Sequence, residues 1–560
     1  MMKQRKIVIV GGVAGGATAA ARLRRLDEHA EIIIFERGEH ISYANCGLPY
    51  YIGGVIPKRQ SLLVQTAQGM SKRFRLDIRT EQEVTAIDRE RHMVSVRNVK
   101  TGEQYGESYD TLILSPGAKP IVPPIEGLNE AKQTFTLRSI PDTDRIKRHV
   151  DETSPERAVI VGGGFIGLEM ADNLAHRGIA VTVVEMADQV MAPLDPEMAA
   201  IVHHHLRDKG IELILGDGVS AFRDEGHSIV LASGRVLPTD MTILSIGVRP
   251  ENDLACSAGL ALGERGGILV DEYLRTEDPD IWAIGDAIEV KDYIHGTPAM
   301  VPLAWPANRQ GRLVADNIYG KGQTYRGTLG TAVAKVFDLT VAVAGSNAKT
   351  LQKLGVPYES VHIHPASHAG YYPGGSPISL KLTFHPETGA IYGIQGVGKQ
   401  GVDKRIDVVA TAIKGNLTVH DLPDLELAYA PPYSSAKDPV NMLGYVASHI
   451  VDGDVKVVHY DQIDRMVREG ACLIDVRESA EREAGYIEGS IHIPLGDLRS
   501  RLDELPRDRP IVVSCQVGLR GYLATRILDQ HGFESMNLSG GYKTYAAYYE
   551  GRNPATACAK

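Results

Sequence analysis

With 560 residues, of which 43% are hydrophobic and 23% charged, the chain is long enough for three or four domains of ordinary size. A formal charge of -10 at pH 7 argues against a general nucleic-acid binder, and no apolar run approaches the roughly 18 residues that span a bilayer. The opening MMKQRKIVIVGG has too short an apolar stretch for a secretory leader, so a cytoplasmic location is the expectation.

Residues 5 to 36, RKIVIVGGVAGGATAAARLRRLDEHAEIIIFE, predict a strand, a glycine turn, an alanine-rich helix and a second strand ending in an acid. Residues 157 to 185, RAVIVGGGFIGLEMADNLAHRGIAVTVVE, repeat that order. Both read as βαβ units of nucleotide-binding type, in which backbone N–H groups at the helix start hold a pyrophosphate. Glu36 and Glu185 stand where an acid receives a ribose hydroxyl. One such stretch is equally a tight strand-to-helix turn; two, each closed by an acid, are far stronger. Gly162, Gly164 and Gly167 complete G-x-G-x-x-G, whereas the first copy has Val13 at the middle place, among Gly11, Gly12, Gly15 and Gly16. Neither arginine nor lysine follows Glu185 in MADQ, which favours NADH over NADPH there.

Between the copies lies SYANCGLPYYIGG, residues 42 to 54, with one cysteine, Cys46. The others, Cys256, Cys472, Cys515 and Cys558, are scattered without a C-x-x-C pair, neither a disulfide framework nor a zinc site. The His203 to His205 triplet reads as the solvated face of an amphipathic helix, so no metal is expected. Cys256 and Cys472 read as packing residues and Cys558 as tail.

TLILSPGAKP (111 to 120) and DIWAIGDAIEV (280 to 290) are short apolar strands ending in glycine turns, which bring in Gly117 and Asp286. Residues 325 to 440 change texture, with alternating strands in GTAVAKVFDLTVAVAG and ISLKLTFH and then the proline-rich YAPPYSSAKDP. A final compact α/β unit places Cys515 at a strand end opening a helix, in CQVGLRG.

These motifs together resemble the coenzyme A disulfide reductases of the pyridine nucleotide-disulfide oxidoreductase family over residues 1 to about 440, through GGVAGGAT, SYANCGLPYYIGG, HAGYYPG and YAPPYSSAKDP. Residues 457 to about 550 resemble a rhodanese domain. The resemblance implies an α/β architecture: an FAD-binding domain over 1–120 and 245–324, an NAD(P)H-binding domain over 121–244, an α+β dimerisation domain over 325–443, a 444–456 linker and a rhodanese domain over 457–560. It implies FAD held by Gly11, Gly12, Gly15, Gly16, Glu36, Gly117 and Asp286, and NADH, with NADPH as the other option, held by Gly162, Gly164, Gly167 and Glu185. Cys46 is then the redox nucleophile. Thr18, Arg22, Arg25, Ser42, Asn45 and Lys437 fall on or beside positions that bind coenzyme A, and Tyr371 and Tyr429 match tyrosines reaching in from the other subunit of a homodimer. Tyr372 is the alternative to Tyr371. Asn308 departs from the pattern, since relatives often carry histidine there.

With no neighbouring sulfur, Cys46 is expected to form a mixed disulfide with coenzyme A rather than an internal disulfide, its thiolate favoured by oxidised flavin and a helix N-terminus. Cys515, with Gln516, Val517, Gly518, Leu519 and Arg520, forms a loop of the spacing seen in sulfurtransferases, and its N–H groups would stabilise a persulfide. The expected activity is therefore NAD(P)H-dependent reduction of coenzyme A disulfide, coenzyme A persulfide or polysulfides. The rivals are an NADH oxidase or peroxidase using a Cys46 sulfenic acid, and a regulatory flavoprotein whose rhodanese domain only binds a partner.

Overall fold

The computed structural model describes residues 4–552, so Cys558 lies outside the described residues. The chain divides into two compact units: the first runs to Met186 and resumes over Ile214–Gly330, and the second takes Ala187–Leu213 and the chain from Thr331 onward.

In the first unit the near-continuous apolar runs KIVIV, EIIIFE and TLIL become strands of a parallel sheet, the arrangement such runs favour because both faces are covered. Its order is Ile281–Ala283, Thr111–Leu114, Lys6–Val10, Glu31–Glu36, Asp77–Thr80, every neighbouring pair parallel. Ile281–Ala283 thus returns to this sheet after a second fold has intervened. That second fold pairs Ala180–Glu185, Arg157–Val161, Met241–Leu244 and Thr134–Thr136 in the same parallel manner. The helix Ala14–Leu26 packs on the helix Ala304–Ile318 through small residues: a Cβ on Gly311 would meet Gly15 O at 2.4 Å.

The second unit opens on a five-stranded antiparallel sheet, Ala332–Val336, Leu339–Gly345, Ile391–Gly398, Ile378–Phe384, Glu359–Ile363, with the helix Val402–Lys414 on it. The alternation of ISLKLTF predicts one wet face, yet every residue of Ile378–Phe384 is buried. The polar face is covered because carboxylates meet it: Lys381 Nζ lies 2.9 Å from Asp195 and 2.5 Å from Glu197, at the head of the helix Pro196–Asp208. His362 and the Tyr460 hydroxyl also donate to Glu197, each at 2.8 Å, so the buried charges are paired. The same helix carries the histidine triplet, and there the expected solvated face is corrected. His203 is buried and accepts the Val190 N–H at 3.1 Å, while His205 lies 2.9 Å from Asp338, because this helix is packed within the unit, its neighbours including the helix Gly541–Arg552.

The helix Pro439–Val451, started by an Asp438 and Asn441 capping box, runs through the first part of the expected 444–456 connection. Beyond it a parallel sheet has the order Val457–Val458, Ser535–Leu538, Ile511–Ser514, Cys472–Asp475, Ile491–His492. The expected α/β architecture, with two Rossmann-like folds, an α+β domain and a C-terminal α/β domain, is present. No helix among the described residues is long and apolar enough to cross a membrane.

Candidate active sites

The two glycine loops of the first unit are built alike, and steric demand explains each residue. Gly11 and Gly162 have φ of +96° and +107°, and a Cβ on them would meet Ser115 O at 2.1 Å and Ser245 O at 2.5 Å. A Cβ on Gly16 would lie 1.9 Å from Gly11 O, and one on Gly167 2.0 Å from Gly162 O, so these glycines let the helix sit against its own loop. Gly164 differs, since a Cβ there would meet no protein atom within 4 Å. Val13 occupies the matching place in the first loop. Glu36 accepts from Gly12 N at 2.9 Å and Gly38 N at 2.8 Å, and Glu185 from Gly163 N at 2.8 Å; each acid ties its loop to the neighbouring strand.

A cleft of about 1150 Å³ opens beside the first loop, lined by Gly11, Glu36, Cys46, Gly117 and Asp286 among others. Cys46 reaches it through a chain of backbone bonds. Ser42, at a φ of +45°, donates its N–H to Gly12 O at 3.0 Å, and Ala44 N donates to Leu62 O at 2.8 Å. The cysteine then sits in the 3-10 turn Asn45–Gly47, ahead of the short helix Leu48–Ile52, whose Leu48, Pro49 and Ile52 are buried. Its side chain is exposed at the cleft, as is that of Asn45.

The chain's own groups act on this cysteine against the thiolate. The packed atoms around the Cys46 thiol push its pKa up, and the charges of Glu169 and Asp286 push the same way. A backbone N–H at the head of the turn pulls the other way, as the smallest of these influences. Glu169 was not marked by any sequence motif; it follows Gly167 on the helix Phe165–Ala175 and accepts from Tyr50 OH at 3.3 Å. Burial raises its carboxyl to about 7. Burial likewise raises Asp286 to about 6.

Thr18 lines the same cleft and donates to Asn308 Oδ1 at 2.7 Å, so the residue that departs from the family pattern orients a candidate ligand contact. Arg22 gives Nε and Nη2 to the buried Asp316 at 2.9 and 2.7 Å, which leaves Nη1 uncommitted, while Arg25 is exposed. In the second unit the hydroxyls of Tyr371 and Tyr429 meet at 2.7 Å, with the two side chains exposed. Tyr372 turns away and packs edge-on against His368 at 5.7 Å. Lys437 is exposed, with its ammonium 5.9 Å from the Tyr445 ring centre.

Cys515 is buried at the end of Ile511–Ser514 and accepts the Gly518 N–H on its sulfur at 3.1 Å. Gly518, at a φ of +100°, caps the helix Leu519–Gln530, so the loop is a backbone cradle around the sulfur. Tyr542 N and Lys543 N hold the loop from below through Cys515 O and Gln516 O at 2.7 and 3.0 Å. Arg520 is turned outward into a two-pronged pair with Glu481, both contacts 2.6 Å. Of the other cysteines, Cys472 is buried as expected, whereas Cys256 is exposed and does no packing, because it lies on the outer side of the short helix Asp253–Ser257, whose buried residue is Ala255.

The description "Pyridine nucleotide-disulphide oxidoreductase" matches residues 5–310, and its dimerisation domain matches 331–439. The chain belongs to that family. Residues 459–548 match a rhodanese-like domain. The oxidoreductase is 39% identical to a coenzyme A disulfide reductase of Staphylococcus epidermidis over 445 residues, 79% of this chain and 99% of the relative. Its fold matches the crystal structure of reduced Bacillus anthracis CoADR-RHD with a TM-score of 0.97 at 60% identity, covering 98% of this chain and 99% of that one. It also matches an NAD-dependent persulfide reductase from A. fulgidus, with a TM-score of 0.90 at 39% identity, over 97% of this chain and all of that one.

This family implies FAD and NAD(P)H, and the residues present fit both. Gly164 leaves the start of its helix open to a ligand. Asp286 lines the cleft, is raised to about 6 by burial and has no hydrogen-bond partner among the described residues, the state of a carboxylate kept for a ligand hydroxyl. A dimerisation domain within the chain supports a homodimer.

Proposed function

We propose that this oxidoreductase uses NADH to reduce coenzyme A disulfide, coenzyme A persulfide and related polysulfides at Cys46, and that Cys515 takes up and hands on sulfane sulfur. The observation that carries this reading is the solitude of both reactive thiols. Among the described residues Cys46, Cys256, Cys472 and Cys515 are all free, which supports a substrate as the source of the sulfur that pairs with Cys46. The named activities of the Staphylococcus and A. fulgidus relatives support the two substrate classes.

Glu36, Gly117 and Asp286 would help to hold FAD in the cleft, where it would supply two-electron chemistry between NADH and sulfur. NADH binds over Gly162, Gly164, Gly167 and Glu185. Cys46, as thiolate, attacks a substrate S–S bond, leaving a Cys46 to coenzyme A mixed disulfide and releasing a thiol or hydrosulfide. The Cys46 proton leaves before attack, and Glu169, titrating near 7, can take it when ionised. Ser42, Asn45, Thr18 and Arg25, with Nη1 of Arg22, hold the coenzyme. Tyr371 of the partner subunit and Tyr429 of the partner subunit protonate the leaving sulfur, one hydroxyl passing its proton along their shared bond. Tyr371 rather than Tyr372 is the working residue, because Tyr372 is packed on His368.

The test is NADH consumption with coenzyme A disulfide, coenzyme A persulfide, polysulfide and peroxide, for the wild type, Cys46→Ser and Cys515→Ser. Full persulfide turnover in Cys46→Ser refutes the proposal. A peroxide or oxygen rate above every sulfur rate would instead select an oxidase or peroxidase.

A further inference from the structure

Three arginines beside the Cys515 cradle are met by three acids. Arg477 is 1% exposed and spends its guanidinium on Asp475, at 2.8 to 3.2 Å, on Gly485 O at 2.7 Å and on the Gln516 side chain at 3.1 Å. Arg482 gives Nη1 to Asp475 at 3.2 Å and to Ser490 Oγ at 2.7 Å. Arg520, the one cation within the loop sequence, has both terminal nitrogens on Glu481, and Glu478 adds its charge nearby. What the loop shows instead is uncharged: Gln516, Val517, Gly518 and Leu519. Leu519 and Leu523, one helical turn apart at the head of Leu519–Gln530, are 58% and 44% exposed, and Tyr486 is 53% exposed.

We infer that Glu481 sets the donor class of Cys515. By neutralising Arg520 it makes the mouth a poor host for a small oxyanion such as thiosulfate and a good one for a persulfide on an organic thiol with a slender apolar arm. This rests on the sulfur-transfer role proposed above. With an organic donor, the Cys515 thiolate attacks the outer sulfur of R–S–SH, the inner S–S bond breaks, and the products are Cys515–S–SH and the thiolate R–S⁻. With thiosulfate the same attack expels sulfite, so two negative charges must be held at a loop whose own cation, Arg520, is spent on Glu481. A coenzyme A persulfide carries its phosphates at the far end of the pantetheine arm, away from the reacting sulfur.

Glu481 acts through Arg520 and is a positioning residue, so its test reads charge as well as rate. Thiocyanate formation from cyanide is measured without NADH in full-length protein carrying Cys46→Ser, with thiosulfate or coenzyme A persulfide as donor. The wild-type loop should favour the persulfide by at least about 100-fold in kcat/KM. Glu481→Gln, which frees Arg520, should raise kcat/KM for thiosulfate at least about tenfold, chiefly through KM, and 0.5 M KCl should erase most of that gain by screening. Adding Arg520→Gln should abolish it, which a merely unfolded Glu481→Gln loop would not mimic. Equal use of both donors by the wild type, or a donor ratio that Glu481→Gln leaves unmoved, overturns the inference and leaves sulfur transfer standing. Absence of thiocyanate from either donor overturns sulfur transfer at Cys515 itself.

Discussion

The second glycine loop separates two demands that a sequence motif merges, and two alanine substitutions should pull them apart. In Gly167→Ala the new methyl lies 2.0 Å from Gly162 O, and a backbone atom cannot swing aside. To restore even 3.0 Å the helix Phe165–Ala175 must back away from its strand by about 1 Å, an overpacking that costs about 1–3 kcal/mol. In Gly164→Ala the methyl meets no protein atom within 4 Å, and the residue's φ of -80° suits alanine, so the fold should not notice. The dinucleotide should notice, because the methyl occupies the path by which a pyrophosphate approaches the helix start. Calorimetry should show the first unfolding transition of Gly167→Ala lowered by about 2–6 °C, with Gly164→Ala within about 1 °C of wild type. Titration with NADH should show Gly164→Ala weakened at least about tenfold, near 1.4 kcal/mol. A Gly164→Ala protein that melts early, or that binds NADH normally, would refute the division of roles.

Other outcomes follow from the buried charges. Lys381→Met strands Glu197 and Asp195 in the second unit and should cost about 3–5 kcal/mol, read as a loss of that unit's melting temperature, with Glu197→Gln in the same chain recovering part. Glu197 is held well below the usual carboxylate range, chiefly by Lys381 and His362 against the cost of burial, so its stabilisation is present above its unfolded pKa and is lost as pH falls through the folded value. Acid titration of the melting temperature should show that loss in wild type and a smaller one in Glu197→Gln. Asp286, raised to about 6, works the other way: its carboxylate costs stability above its unfolded pKa. Flavin-free Asp286→Asn should therefore melt above wild type at pH 8, converge with it only as the pH falls below the ordinary aspartate value of about 4, and bind FAD more weakly by fluorescence titration. Glu169→Gln removes a charge that raises the Cys46 thiol, so the pH midpoint of Cys46 alkylation should move down relative to wild type, and an unmoved midpoint would exclude Glu169 from the proton step.

The sequence by itself determined the local chemistry. Glycines at fixed offsets, apolar runs closed by acids, and cysteines placed at turns are read within a few residues of chain, where backbone sterics and hydrogen bonding act directly. Thus the two nucleotide folds, the Cys46 and Cys515 turns and the four-part architecture were legible, while whatever depends on residues distant in sequence was not. Alternation in ISLKLTF could not reveal that its lysine is buried, since Asp195 and Glu197 arrive from some 180 residues away. The histidine triplet looked solvated until its helix was packed on both sides, and Cys256 looked internal until Ala255 took the inward place. Glu169 and Glu481 belong to no motif, yet one lifts the Cys46 thiol and the other neutralises Arg520. Charges act through space, and only the tertiary structure decided which of them share it.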